Sequence, residues 1–360
     1  MLKHFLIWIT ILCSCNSCLA EQMSRLYTGE IDVNNQSNAT LQAAFQQGLV
    51  QVLTKVSGNQ GINTLPKIKS QLNQAKNLVQ SYNFSANPNS PPALRLTIQY
   101  DKAGILKILN NSGQAIWRTD RPLTLVLLST DQNNIITSSD TSVEKKEIEL
   151  IANERGLPII FPLMDLEDQA IDLAKSITPQ QINELLQRYH ADAILIGKIT
   201  KQKTQSQIDW QYIYNQQPTT WQNQSNTTLS ALDAGINQIT NMLANQFSVI
   251  ESSNLQSKYT LAINNIENLD DYGKLVTLIK KNSLIDQYNI KDMLNDSVII
   301  DISSSSDLNS LNKALLNSNL LTPNNLPSTP PDTLSYRWNA PSTIVINNSG
   351  PQKNDNTTSP

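Results

Sequence analysis

Ala193-Ile194-Leu195-Ile196-Gly197-Lys198-Ile199-Thr200 and Leu123-Thr124-Leu125-Val126-Leu127-Leu128-Ser129 are apolar at nearly every position rather than at alternate ones. A strand needs that only when both of its faces are buried, as in a parallel sheet covered by helices on its two sides. The chain around these runs supplies the cover. A helical pattern occupies Val143–Arg155, a third apolar run follows at Ile159–Met164, and a second helical pattern spans Pro179–Tyr189. The order β-α-β-α-β predicts an α/β core at the middle of the molecule. Beyond it, Ile208, Trp210, Tyr212 and Tyr214 alternate with polar residues, Pro218 marks a turn, and Thr219–Gln222 returns with Trp221, so an antiparallel hairpin joins the sheet. A helix from Leu229 to Val249, with Leu232, Ile236, Ile239, Leu243 and Phe247 inward, closes a Rossmann-like α/β domain over residues 118–251.

Working outward, residues 21–117 read as an N-terminal α+β domain. Leu26–Val33 reads as a strand. Leu41, Ala44, Phe45, Gly48, Leu49, Val52, Leu53 and Val56 form one apolar stripe that Ser57-Gly58 terminates, which is an amphipathic helix. A further helix over Ile68–Tyr82, a half-buried strand at Ala93–Tyr100 and a short helix at Ala103–Asn110 complete the unit. Residues 258–321 alternate differently, as β-α-β-β-α, and predict a ferredoxin-like α+β domain. From Thr322 to Pro360 the composition turns to Pro, Asn, Ser and Thr, which predicts a disordered tail. Ser342-Thr343-Ile344-Val345-Ile346 is a short apolar run within it that could pair as an edge strand.

The first 20 residues read as a targeting segment. Lys3 and His4 precede the apolar run Phe5–Leu12, and Cys18-Leu19-Ala20 supplies the small residues of a cleavage site, so the chain is expected to be exported to the periplasm. The alternative is a lipoprotein anchored through Cys15, since Leu12 and Ser14 precede that cysteine. Cys13, Cys15 and Cys18 are the only cysteines, so a cleaved chain holds neither disulfides nor thiol chemistry. No later segment is apolar for the roughly 20 residues a bilayer requires. A net charge of −3 with Lys and Arg scattered disfavours nucleic acid as a partner.

Ala43-Ala44 with Leu49–Gly58, Val79-Gln80-Ser81-Tyr82, Ile116–Val126, Gly156–Asp168 and Asp192–Gly197 recur in an order that resembles an uncharacterised family of exported Gram-negative bacterial proteins, a domain of unknown function (family 2066). The likeness runs from about Leu26 to Phe247. It implies an envelope location and carries no catalytic residues. The middle unit's element order is also similar to the Rossmann-like domains of envelope-assembly proteins, where such domains serve protein contacts.

Motif chemistry is sparse. Thr130–Asn134 after the first core strand has no glycine, and neither a dinucleotide fingerprint nor a phosphate loop occurs, so no cofactor is expected. Asp165, Glu167 and Asp168 cluster where carboxylates could hold a cation or share a proton, or simply cap the next helix. His190, the histidine left after cleavage, ends a helix, where the dipole favours it; no metal site is expected. Trp210, Tyr212 and Trp221 could stack on a ligand or form a cross-strand core ladder. The expectation is a non-enzymatic scaffold or assembly factor acting on envelope protein partners. The alternatives are a cell-wall-directed hydrolase using Asp165, Glu167 and Asp168, and a small-ligand binding module using the aromatic hairpin.

Overall fold

The structure, a computed structural model, describes residues 25–87, 94–119, 121–130, 134–163, 165, 168, 177–250, 257–324, 330 and 332–339. Residues 1–20, which the sequence reads as a targeting segment, Glu167 and Ser342–Ile346 lie outside the described residues. Three sheets, each with its own helices, give a mixed α/β architecture.

In the first unit, β1 (Thr28–Val33), β3 (Leu94–Tyr100) and β2 (Val79–Ala86) form an antiparallel sheet in the order β1-β3-β2. Across it lies α1 (Asn38–Ser57), capped by the Ser37 side chain and stopped by Gly58 in the left-handed conformation. Its stripe of Phe45, Leu49, Val52, Leu53 and Val56 is buried on Leu96, Ile98 and Tyr100 of the sheet. The expected helix over Ile68–Tyr82 is corrected. A short α2 (Pro66–Leu72) ends early, and Val79–Ala86 is a strand. Tyr82 and Phe84 stand opposite Ile98 and Leu96 in register, and the Tyr82 ring packs edge-on against Phe45 with centroids 5.4 Å apart. Cross-strand pairing by alternating aromatics outweighs the helical periodicity of the segment. Then α3 (Lys102–Asn111) follows, capped by Asp101.

The middle sheet has the order β5-β4-β6-β7-β8. Its members are β4 (Thr124–Ser129), β5 (Ile159–Ile160), β6 (Ala193–Lys201), β7 (Ser206–Tyr214) and β8 (Gln217–Ser225). The first three strands of that order are parallel and the hairpin is antiparallel. All six positions of β4 are buried, as its unbroken apolar run requires. Val126 and Leu128 pack under α4 (Val143–Arg155) and α6 (Thr228–Phe247). Leu125, Leu127 and Ile194 pack on the opposite face under Leu185 of α5 (Pro179–Tyr189). The third apolar run is shorter than expected: β5 is two residues, since Pro162 cannot donate to a ladder and the chain leaves the sheet before it.

The third unit has the order β10-β11-β9-β13-β12. It contains β9 (Ser257–Asn264), α7 (Leu269–Lys281), β10 (Gln287–Leu294), β11 (Ser297–Ser304), α8 (Leu308–Leu316), β12 (Leu321–Pro323) and β13 (Thr333–Trp338). Two expectations change here. A ferredoxin-like plan would pair the strand after α8 with β9, whereas β13 is inserted between them, parallel to β9. That strand comes from the stretch whose average composition predicts disorder. Tyr336 and Trp338 are each 1% exposed, and their apolar burial offsets the ordering of six residues. Among the described residues no helix is long and apolar enough to cross a membrane.

Candidate functional site

Three cations are shut into the seam between the first and middle units: Lys55 at 1% exposure, Arg121 at 7% and Arg155 at 3%. Each is held by groups of the neighbouring unit. Lys55 sits in the last turn of α1, on the face shared with Gly48 and Val52, and its Nζ donates to the Thr28 carbonyl at 2.9 Å and to Asn153 Oδ1 of α4 at 3.2 Å. Burial pulls its ammonium from 10.5 to about 8, against the opposing pull of Glu30 and Glu154. The Glu154 carboxyl is pushed up by the same burial.

Arg121 commits four N–H groups to carbonyls. Nε donates to Arg118 at 2.9 Å, Nη1 to Gly156 at 2.6 Å, and Nη2 to Lys55 at 2.8 Å and Trp117 at 2.5 Å. Its guanidinium also lies 4.1 Å from the centroid of the buried Trp117 ring. Gly156 permits this approach: it ends α4 at φ +67°, and a Cβ there would strike Arg121 Nη1. Arg155 Nη2 donates to the Gly58 carbonyl at 2.9 Å and to Asn241 Oδ1 at 2.6 Å, while Nη1 reaches Asn237 Oδ1 at 2.5 Å. The C-terminal ends of α1 and α4, the connector at 116–121 and the outer face of α6 therefore converge on one polar knot. The connector is further tied where it begins, by Trp117 N to the Val56 carbonyl at 2.7 Å and by Ile116 pairing with Val249. The seam opens into a cleft of about 1360 Å³ lined by residues of all three units.

The residues singled out from sequence lie elsewhere and are engaged differently. Arg188 of α5 bridges Asp165 and the buried Asp168, with Nε 3.4 Å from Asp168 Oδ1. Tyr189 Oη donates to Asp168 and accepts from the Leu163 N–H at 2.8 Å, while Asp165 accepts from the Asp168 N–H at 3.3 Å. The Arg188 guanidinium lies between these two carboxylates and ties both to α5. His190 ends α5 at φ +48°. Among the described residues, no His, Cys, Asp and Glu group has the makings of a metal site. Trp210 and Tyr212 are corrected as ligand-facing aromatics: they are 2% and 4% exposed. The Trp210 indole stacks on Trp221 with centroids 6.0 Å apart and presses against Gly197 and Gly235, which leaves no face for a ligand.

Sequence reasoning missed all three cations of the knot as functional candidates. The available signal was Lys55 on the apolar face of α1, a charge where the helix periodicity demands an apolar side chain. Lys55, Gly58, Trp117, Arg121 and Gly156 all fall within the stretches that carry the family resemblance.

A family model for a domain of unknown function (DUF8605) matches residues 20–118, so over that stretch the chain is similar to an uncharacterised family. The match ends at residue 118, ahead of β4. No curated protein matches the chain. Among solved structures, a ribosomal subunit interface protein from Coxiella burnetii is 9% identical, over 34% of this chain and 94% of that one, with a TM-score of 0.19. Lipoprotein GNA1162 from Neisseria meningitidis is 16% identical, over 34% of this chain and 99% of that one, also with a TM-score of 0.19. At such TM-scores neither likeness bears on fold or function.

Proposed function

We propose that this chain is a non-enzymatic scaffold or assembly factor of the bacterial envelope, exported through a cleaved signal at residues 1–20 and working in the periplasm through protein contacts. In this reading the middle unit is Rossmann-like, the third is a ferredoxin-like unit with an inserted strand, and the family is the exported Gram-negative one the sequence resembles. The observation that carries the proposal is the use of the buried cations. Lys55, Arg121 and Arg155 each direct a donor at a carbonyl or amide oxygen across the seam, so three buried charges join the two units. A chain joined in this way offers fixed outer surfaces. β2, β8 and β10 each stand at a sheet edge, and β10 ends on Met293 and Leu294, which are 54% and 59% exposed. Edge strands with apolar side chains are ready templates for strand addition by another chain.

The test is crosslinking in intact cells, with an affinity tag placed after Pro360 and quantitative recovery of whatever is bound. One stoichiometric envelope partner is the expected result, and recovery as a free monomer would overturn the proposal. Asp165→Asn, Glu167→Gln and Asp168→Asn are expected to leave the protein's activity in cells unchanged. Loss of that activity in a folded variant would favour the hydrolase alternative.

A further inference from the structure

Of the Lys and Arg residues lining the cleft, Lys55 and Arg121 are buried in the polar knot, and Arg95 and Lys145 pair with Asp32 and Glu149; Lys146, Lys280 and Lys281 stand exposed at its walls, against the carboxylates of Glu30 and Asp192. The concentration is not legible along the chain, because the cations come from separate pairs and singletons that folding gathers. Lys146 lies on α4, and Lys280 and Lys281 in the last turn of α7. Apolar groups lie among them. Leu150, one helical turn from Lys146, is 49% exposed, and Leu278, Tyr214 and Phe247 line the same cleft while only partly buried.

We propose that this cleft binds an acidic, leucine- or aromatic-bearing polypeptide segment of a partner protein. The inference deepens the scaffold reading and rests on it. Charge complementarity selects the sign of the occupant, and the exposed leucine beside lysine selects an amphipathic one. A volume of about 1360 Å³ exceeds the roughly 300–1,000 Å³ of small-molecule pockets, so an extended segment fits better than a lone anion. A flat bilayer cannot reach the floor of a cleft between units. Nucleic acid places a charge about every 1.7 Å, and Glu30, Glu149 and Asp192 in the lining oppose a continuous row of phosphates.

The test places a photoreactive amino acid at Leu150 of the full-length protein in the cells that produce it, with Leu163 and Leu294 as control positions outside the cleft. The expected adduct at Leu150 is a peptide with an excess of Asp and Glu, identified by mass spectrometry. A synthetic copy of that peptide should bind the purified protein in fluorescence anisotropy, and the triple variant Lys146→Glu, Lys280→Glu, Lys281→Glu should weaken it at least tenfold. The milder Lys→Gln triple variant should weaken it in the same direction, which separates charge from any loss of fold. A lipid or nucleic-acid adduct, a peptide without acidic excess, binding that survives charge reversal, or no adduct at Leu150 would each overturn the cleft assignment. Capture at Leu163 or Leu294 with none at Leu150 would leave the scaffold reading standing, and capture at none of the three would sink both.

Discussion

A lysine ammonium shut between two units has an energetic effect that depends on pH. Lys55 is 1% exposed, and burial draws its ammonium from 10.5 to about 8. An unfolded chain keeps that proton to near its ordinary value, so between pH 8 and 10.5 the unfolded state binds more protons than the folded one. Stability from this group therefore rises with pH across that window, and below pH 8 the full desolvation cost stands. At about 1.4 kcal/mol per pKa unit, the cost is on the order of 3 kcal/mol. Lys55→Met keeps the stem and removes the charge. Urea titrations of the two proteins should show their difference in unfolding free energy shifting toward wild type by up to about 3 kcal/mol between neutral pH and the upper end of that window. A difference that stays flat would mean the ammonium is hydrated. Gly235 supports a second test at this scale, because a Cβ there would strike the Trp210 indole. Gly235→Ala should lower stability by about 1–3 kcal/mol and shift the tryptophan emission, since the ring must leave its stack on Trp221. An unchanged spectrum and thermal midpoint would count against that packing.

Elements were legible where one physical signal dominated. β4 and β6 declared themselves by continuous apolar runs, and α1 by a stripe whose residues from Ala44 to Val56 are all buried, with Leu41 half-buried and Lys55 and Ser57 added to the buried face. β2 was not legible, because Val79–Ala86 has a mixed period and only pairing with β3 decides it. β13 was hidden for a different reason. A composition average over a Pro- and Asn-rich stretch cannot register six residues whose aromatics are buried by elements far away in sequence. Trp338 donates its indole N–H to Asp271 Oδ1 of α7 at 3.1 Å, and Tyr336 Oη donates to Asn312 of α8 at 2.7 Å. β13 is therefore part of the third unit's core, and Trp338→Ala should destabilise that unit by about 3–5 kcal/mol. Hydrogen exchange resolved by segment checks this: β9 and β13 should lose protection together while β4 and β6 keep theirs. Exchange unchanged in β9 would show the strand to be dispensable. The candidate site was legible only as fragments, since Lys55, Arg121 and Arg155 are 34 or more positions apart and their shared role exists only once α1, α4 and α6 meet.

At the scale of the molecule, the polar knot sets how two units with separate cores behave as one body. Arg155 is the strand of the knot with the fewest substitutes. Its guanidinium serves the Gly58 carbonyl of the first unit and two asparagines of α6 in the middle unit, at the same time and from fixed directions. Lysine could keep the charge but not the fork, so one ammonium would reach one or two of these acceptors; the buried one among them is the Gly58 carbonyl, since Asn237 Oδ1 also accepts from Gln60 and Asn241 is exposed. Arg121 has the same character toward four carbonyls. Removing one partner from a buried charged set costs about 3–5 kcal/mol, most of it as unpaired polar groups on the partner that stays. For Arg155 that loss falls on the seam, because its acceptors are the Gly58 carbonyl and the side chains of Asn237 and Asn241 and not the apolar groups of either core. Arg155→Lys should therefore split a single calorimetric transition into two, the first unit melting earlier, and speed proteolysis of the connector at 116–121. Leu53→Ala, inside the first unit's own core, should lower its stability without exposing that connector. If Arg155→Lys instead shifts one undivided transition, the units are coupled through their apolar contacts and the cations are passengers at the seam.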